Sequence, residues 1–343
     1  MFDELSLPIN LLVFALSAML VWAAGSRLAG YADAIAENTG IGRAFLGIML
    51  LGGITSLPEI AVATTAALQG TPMLSLNGVL GSAAINVLIL AIADATTGRG
   101  ALTTLQGSPA VLLQGVLGIL MMALTVAAVV VGDVLVFGLG AWCWAMLATY
   151  LGAVWLLAKT RSGDAWQSSE RPAPKTGADE QEDASATNLH RLIAKTAGAG
   201  AVILAAGFLL ARTGDAIATQ TGLGTNFFGN VFLGLSTSLP EISTVIAAVR
   251  LKRYEMAISD IFGTNLFNVT IIVLIDALHP GGPVLVAAGP FAAFGALLAL
   301  VMTVIFMIGL LERRDRTVLH MGMDSLAAFP VYAIGVVILY GLK

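Results

Sequence analysis

The sequence GGITSLPE at residues 52–59 recurs as GLSTSLPE at residues 234–241, which lie 182 positions further along the chain. The same offset pairs Asp94 with Asp276, and no gap is needed between the two points. A match of this length does not arise by chance, so the chain consists of two homologous halves. Each half contains one such Pro-Glu pair in a stretch that is otherwise apolar or weakly polar.

The composition places these motifs in a membrane protein. Of 343 residues, 57% are hydrophobic and 11% are charged, and the mean hydropathy is +0.90. About a quarter of the residues in soluble proteins are charged, so soluble enzymes are excluded. The net charge of −4 offers no basic surface, and no nucleic-acid partner is expected. A single cysteine, Cys143, excludes a disulfide framework or a cysteine metal cluster.

Apolar runs of about 20 residues, the length that crosses a bilayer, occur ten times between polar or Gly/Pro-rich breaks. We therefore predict an all-α membrane protein with ten transmembrane helices. Their predicted limits are 7–28, 43–69, 74–95, 108–131, 134–158, 191–212, 224–249, 255–278, 284–311 and 322–342. The second and seventh should be interrupted at the Pro-Glu motifs, because proline removes a helical hydrogen bond.

A polar segment separates the two halves and defines the predicted organisation. Residues 160–190 are rich in Ser, Ala, Pro and acidic side chains, which predicts a flexible linker between a first repeat at 1–159 and a second at 191–343. Fifteen of the 17 Lys and Arg residues lie on the linker's side of the predicted membrane. Basic loops are retained in the cytoplasm, so the linker is predicted to be cytoplasmic and both termini outside.

The number of predicted helices in each half determines how the two halves are oriented relative to each other in the membrane. Five is an odd number, so the second half must enter the membrane upside down relative to the first. Inverted repeats of this kind place the substrate site near the middle of the membrane, where interrupted helices of both halves meet. The segments 52–59 and 234–241 are predicted to form that site.

Glu59 and Glu241 give this predicted site its chemistry. No basic residue is close to either acid in the sequence. A charged carboxylate in the membrane costs at least ~2.5–3.5 kcal/mol, so each needs a cation or a proton. The prolines before them should free backbone carbonyls, and Thr55 and Thr237 add further oxygens. Calcium takes 6–8 oxygens in flexible geometry and suits this set better than octahedral magnesium does.

A second polar stripe lies on the third and eighth predicted helices. Ser82 and Asn86 correspond to Thr264 and Asn268, and the spacing of four residues places each pair on one helix face. Such side chains also join transmembrane helices without any ligand, so the pattern alone leaves both roles open.

These paired motifs resemble those of the sodium/calcium exchangers of the calcium/cation antiporter superfamily. In that family, Gly-[Thr/Ser]-Ser-x-Pro-Glu is followed on the next helix by Gly-Ser-Asn-x-x-Asn, and here the two elements lie at 52–86 and 234–268. The resemblance covers nearly the whole chain. It implies an antiporter, not an enzyme, that exchanges calcium for sodium by alternating access and needs no cofactor. The expected location is the plasma (inner) membrane of a bacterium or archaeon.

The resemblance also implies roles for individual residues, with Glu59 and Glu241 as the shared calcium and sodium ligands. The remaining implied members are Thr55 and Thr237 through main-chain oxygens, Ser82 and Thr264 in flanking sodium sites with Gly52 and Gly234, Asn86 and Asn268 at the centre, and Ser56 and Ser238 along the ion path.

The sequence departs from the family pattern at three positions. Ala83 stands where the family usually has asparagine, and Asn268 stands where some exchangers carry an acid. Asp260 replaces a common asparagine opposite Gly78, and we interpret it as a helix-start acid. Asp94 and its counterpart Asp276 are expected to cap chain ends at the membrane interface. The missing acid at 268 leaves the counter-ion open.

Three other functions are compatible with part of the pattern. A calcium/proton exchanger would neutralise the same glutamates with protons alone. Two facing carboxylates can also run acid–base hydrolysis of a peptide or lipid in the membrane, although such an enzyme needs no inverted repeat. A channel would conduct ions without coupling the movement of one ion to that of another. The sequence does not determine the oligomeric state.

Overall fold

The structure, a computed structural model, is described here for residues 2, 4–39, 52–97, 102–105, 108–159, 189–250, 252–312, 317–318 and 321–343. The predicted linker at 160–190 lies almost wholly outside these residues, as does the beginning of the second predicted helix. In the first half the elements are α1 (Leu7–Thr39), α2 (Gly52–Thr55), α3 (Leu57–Leu68), α4 (Pro72–Thr97), α5 (Leu102–Leu105), α6 (Pro109–Val131), an antiparallel hairpin of β1 (Leu135–Val136) and β2 (Leu139–Gly140), and α7 (Ala141–Lys159).

The second half repeats this order of elements. They are α8 (Leu189–Thr221), α9 (Thr225–Phe228), a π-helical turn (Gly229–Leu233), α10 (Gly234–Thr237), α11 (Leu239–Arg250), α12 (Tyr254–Leu278), a 3-10 turn (Val284–Val286), α13 (Gly289–Glu312), the hairpin of β3 (Thr317–Val318) and β4 (Met321–Gly322), and α14 (Met323–Leu342). The ends of α8, α10 and α11 lie 182 positions after those of α1, α2 and α3. The repeat seen in the sequence is therefore also a repeat of secondary structure.

The helices α4 and α12 form the centre of the molecule. Both are apolar on most sides and are largely buried, whereas α1, α8 and α14 expose much of their surface. A helix that is hydrophobic all round is expected in such a position. The helix α3 packs against α12 as well as α4, and α11 packs against α4 as well as α12. Each motif helix therefore contacts the central helix of the other half.

Both predicted helix breaks are confirmed. Ser56 separates α2 from α3 with φ −83° and ψ 7°, and Ser238 separates α10 from α11 with φ −83° and ψ 5°. These values lie outside the helical region, and the proline two residues later has no N–H to continue the helix. The unit 225–250 bends by 44° at its break.

By length and apolar composition, seven helices of the described residues can cross a bilayer, and the bent unit 225–250 makes an eighth. The helices α3 and α7, at two further predicted positions, are shorter apolar helices.

Several predicted limits were wrong. The segment 134–140 is a hairpin, because Phe137 and Gly138 adopt positive φ values of 48° and 83° and turn the chain before α7 begins. The segment 284–288 is a turn that precedes α13. In contrast, α1 and α8 extend to Thr39 and Thr221, because no proline follows their apolar runs.

Two buried carboxylates join the halves in the same way. Asp94 accepts hydrogen bonds from the backbone N–H groups of Leu102, at 2.6 Å, and Gly322, at 2.7 Å. Its counterpart Asp276 accepts them from Val284, at 2.5 Å, and Gly140, at 2.7 Å. Each acid therefore caps the turn that follows its own helix and holds the hairpin of the other half. The expectation that these two acids act as caps is confirmed by these contacts; their location at the membrane interface stays a prediction.

We predict that Asp94→Asn and Asp276→Asn each lower the thermal unfolding temperature of the purified protein by roughly 5–10 °C. The amide keeps one acceptor but turns an N–H donor toward a backbone N–H, and a hydrogen bond to a charged group contributes about 1.5–3 kcal/mol. Glu255→Gln, a change of an acid at the start of α12, is the control. A loss of stability in only one of the two variants would contradict the equivalence of the two contacts.

Candidate cation site

Glu59 and Glu241 stand in the first turns of α3 and α11, directly after the helix breaks. Their side chains are only 2% and 0% exposed. Helix N-termini carry partial positive charge, which favours an acid at these positions without neutralising it. The helices that carry them each pack against both central helices, α4 and α12. The structure thus places the two acids, which are 182 positions apart in the sequence, against the same pair of helices.

Side chains of the two halves interleave around these acids. The Asn268 side-chain amide donates to Ser82 Oγ at 3.0 Å and lies 3.5 Å from Glu59 Oε1. The hydroxyls of Thr55 and Thr264 are 3.5 Å apart. All five side chains are buried. The predicted stripe on α12 therefore faces the Pro-Glu motif of the first half, and Ser82 of α4 contacts this stripe through Asn268.

The side-chain amides of the site asparagines use their nitrogens in hydrogen bonds. Asn86 donates through Nδ2 to Asn265 Oδ1 at 2.9 Å, and Asn265 donates in turn to the carbonyl of Ala83 at 2.9 Å. The nitrogen of Asn86 is thus engaged, whereas Oδ1 of both Asn86 and Asn268 has no hydrogen-bond partner among the described residues. Asn265 was not among the predicted site residues. The asparagine of the family motif, present in this copy but replaced by Ala83 in the other, was the signal for it.

Among the predicted site residues, the buried polar atoms without a hydrogen-bond partner are all oxygens. Within the described part of the chain, the buried atoms here without a hydrogen-bond partner are Glu59 Oε2, Glu241 Oε1 and Oε2, Asn86 Oδ1, Asn268 Oδ1, Ser56 Oγ and Ser238 Oγ. Unpaired polar groups cost free energy when buried, and hard cations are bound by oxygen ligands. The arrangement can therefore hold calcium or sodium.

The remaining predicted site residues are Gly52 in α2 and Gly234 and Thr237 in α10. Thr237 donates its hydroxyl to the Gly234 carbonyl at 3.2 Å, and the same carbonyl accepts from the Ser238 N–H at 3.1 Å. The Gly234 carbonyl is therefore not among the backbone oxygens that the helix break releases. A Cβ at Gly234 would lie 2.8 Å from the backbone nitrogen of Ser82, so this glycine allows α10 to approach α4 closely. Gly52 begins α2 at the corresponding place.

A family model described as "Sodium/calcium exchanger protein" matches residues 9–169 and 192–341, which is nearly the whole chain. The chain belongs to the sodium/calcium exchanger protein family. Among curated relatives, the inner membrane protein YrbG of Escherichia coli K12 is 26% identical over 272 residues, which cover 78% of each chain. The putative antiporter CaxA of Alkalimonas amylolytica is 25% identical over 288 residues, which cover 83% of this chain and 86% of CaxA.

Two solved structures of transporters share the fold of this family member. The sodium-calcium exchanger NCX_Mj aligns with a TM-score of 0.61 and 14% identity, over 97% of this chain and 99% of its own. The H+/Ca2+ exchanger CAX aligns with a TM-score of 0.66 and 17% identity, over 97% of this chain and 86% of its own. The family and the fold are thus shown, and the fold is common to exchangers with different counter-ions.

One acid of this exchanger family member has a position that differs from the prediction. Asp260 is the seventh residue of α12, beyond the first turn, and is 9% exposed. It accepts a hydrogen bond of 2.6 Å from Thr244 on α11, the helix that carries Glu241. The interpretation as a helix-start acid was therefore wrong, because Asp260 is held by a contact with the neighbouring helix.

We predict that Glu59→Gln and Glu241→Gln each abolish stabilisation of the purified protein by calcium, measured as the shift in thermal unfolding temperature. A ligand stabilises the folded state to which it binds, and the amide retains size but loses the charge that attracts the ion. Without calcium, both variants should be at least as stable as the parent, because an uncompensated buried charge has been removed.

Glu255→Gln and Glu312→Gln, at helix ends away from the site, are the controls and should keep the calcium response. If either paired-acid variant retained a normal calcium shift, the two glutamates could not share one ion.

Proposed function

We propose that the protein is an antiporter that exchanges calcium for sodium across the membrane by alternating access, with Glu59 and Glu241 as shared ligands. The observation that supports this most directly is the buried set of oxygens without hydrogen-bond partners, contributed by both halves. The two carboxylates match the charge of one calcium ion, and the amide oxygens of Asn86 and Asn268 add neutral ligands. Water and the nearby hydroxyls complete the coordination.

Competition for one site explains exchange rather than leak. A single calcium cancels both carboxylate charges, as do two sodium ions, but the two loads cannot occupy the same oxygens together. An empty site would carry two uncompensated charges through the membrane interior, which is costly. The site therefore switches its access from one side of the membrane to the other only when it holds cations. The ion gradients set the direction of exchange.

Sodium is the proposed counter-ion because neutral oxygens surround the acids. The hydroxyls of Ser82, Thr55 and Thr264 lie among the acids and amides of the site. They suit a sodium ion, whereas a proton binds to the carboxylate and needs no such shell. Proton exchange is the second candidate, because the H+/Ca2+ exchanger CAX shares the fold. Asn268, in place of an acid, removes one group that could carry a proton or balance a sodium ion.

We also propose ten transmembrane helices arranged as two inverted repeats of five, with the 160–190 linker in the cytoplasm. The contacts of Asp94 and Asp276 support the inversion. Within one half, α4 ends on the side of the membrane opposite to the β-hairpin, because only α6 crosses between them. The contact from Asp94 to Gly322 in the other half's hairpin is what an inverted second half would produce, and it supports the proposal.

We predict that an outward sodium gradient drives calcium uptake into proteoliposomes that contain the purified protein. Glu59→Gln protein, which lacks one of the shared ligands, is the matched control for passive leak. Calcium-45 uptake is measured with sodium or choline inside and with the pH clamped. Uptake that follows an imposed pH gradient and ignores sodium would replace the sodium assignment with proton exchange.

We predict that single cysteines introduced at Ser169 or Ser185 in the linker resist membrane-impermeant thiol reagents in intact cells and react after permeabilisation. Cysteines next to either terminus should react in intact cells, because the Lys and Arg distribution places both termini outside. The background should be low, since the native Cys143 is buried. Linker labelling in intact cells would invert the proposed orientation.

A further inference from the structure

A groove of about 350 Å³ lies between α1 and α8, the long first helices of the two halves. Small residues make room for it, because Ala24 and Gly198 leave space between the two helices. A Cβ at Gly198 would meet no atom within 4 Å, so the space beside this glycine is open. On the two sides of the groove, Leu20 and Val202 are 48% and 40% exposed. Apolar side chains exposed on a membrane protein face the lipid tails, so the groove opens toward lipid.

The polar groups of this groove are gathered at one end. On α1, Arg27 and Tyr31 follow Leu20 by about two and three helical turns. On α8, Lys195 precedes Val202 by about two turns. The Lys195 ammonium lies 5.8 Å from the centre of the Tyr31 ring, so the two helices bring these side chains together. The groove is therefore apolar over roughly 10 Å and basic at its end.

The two helices supply no acid to the basic end. The chain has no Asp or Glu from residue 5 to 32 or from residue 184 to 214. The Arg27 guanidinium donates to the Ala23 carbonyl of its own helix at 3.2 Å, which uses one of its five N–H donors. Two cations that line the same groove favour an anion between them.

The second half does not repeat these cations. The offset of 182 positions relates Arg27 to Leu209 and Lys195 to Val13, so the equivalent positions at the opposite end of the helix pair are apolar. In the proposed orientation the basic end is cytoplasmic. Basic pockets between transmembrane helices on this side of a membrane bind anionic lipid headgroups.

The same two helices contact the Pro-Glu motifs. A Cβ at Gly25 of α1 would lie 2.5 Å from Pro240 Cγ. At the equivalent position of α8, a Cβ at Gly207 would lie 3.4 Å from the backbone carbonyl of Pro58. Each helix is thus packed closely against the helix break of the opposite half. A ligand that joins α1 to α8 therefore also joins the two halves.

We propose that this groove binds an anionic phospholipid. Arg27 and Lys195 hold the lipid phosphate through charge-assisted hydrogen bonds, and Tyr31 lies at the level of the headgroup, where tyrosine is common. An acyl chain lies along the apolar sides formed by Leu20 and Val202. A free phosphate would use the basic end alone, whereas a phospholipid matches both ends of the groove. The bound lipid stabilises the contact between the halves, a role separate from the exchange of ions.

The test uses the purified full-length protein, depleted of lipid in a neutral detergent. Its thermal unfolding temperature is measured with added dioleoyl phosphatidylglycerol, dioleoyl phosphatidylcholine or inorganic phosphate. The variant Arg27→Gln/Lys195→Gln removes both cations of the groove. Its matched control, Lys252→Gln/Arg253→Gln, removes two cations from the turn between α11 and α12.

A second pair of variants keeps every charge and tests the shape of the groove. Gly198→Leu fills the space between the helices. Gly200→Leu adds the same side chain to α8 outside the groove, at a position where a Cβ also meets no atom within 4 Å. This pair also provides the test if the double variant of the cations does not fold.

We expect phosphatidylglycerol to raise the unfolding temperature of the parent by about 3 °C or more, because a ligand stabilises the folded state that binds it. Phosphatidylcholine and inorganic phosphate should each produce less than about one third of this shift, since one lacks the net charge and the other lacks the acyl chains. Both groove variants should lose at least about half of the response to phosphatidylglycerol, and both controls should keep it.

A full response to phosphatidylglycerol in Arg27→Gln/Lys195→Gln or in Gly198→Leu would overturn the proposal. An equal shift with phosphatidylcholine would remove the preference for an anionic lipid, and an equal shift with inorganic phosphate would assign the basic end to a free anion. The molecular mass is measured by light scattering in the same detergent. A mass of two chains for the parent and one for Gly198→Leu would assign the groove to contact between copies of the protein. None of these results depends on ion exchange, so the proposed function is tested separately.

Discussion

The rest of the structure depends on two buried carboxylates with no basic residue close to them in the sequence. Glu59 and Glu241 can be retained in the membrane interior only if a cation or a proton accompanies them. The surrounding groups favour a cation. Both acids stand in the first turn of a helix, and the Asn268 amide nitrogen lies 3.5 Å from Glu59 Oε1. N–H donors of this kind favour the ionised carboxylate, which needs a cation.

Symmetry and asymmetry serve different purposes in this molecule. The framework is symmetric, since Asp94 and Asp276 make equivalent contacts between the halves and the helix breaks at Ser56 and Ser238 have nearly identical backbone angles. The chemistry is less symmetric, because Asn265 lies opposite Ala83 and also accepts from Asn86. A symmetric framework allows the same kind of access from both sides. Asymmetric side chains allow the two faces to bind ions differently.

The sequence predicted the features that local chemistry controls. The two helix breaks follow from prolines, and the equivalent positions of Glu59 and Glu241 in the first turns of α3 and α11 follow from the repeat. The hairpin at 135–140 was missed because its Leu, Val and Phe side chains have the composition of a membrane helix, while the turn depends on the backbone of Phe137 and Gly138. The contact of Thr244 with Asp260 and that of Asn265 with Ala83 join different helices, and no local pattern specifies such partners.

The charges around the site constrain what an exchange cycle can carry. With an amide at 268, the centre holds two carboxylates, and one divalent ion or two monovalent ions neutralise it. Asp260 lies outside this pair of acids and accepts a hydrogen bond from Thr244 of α11.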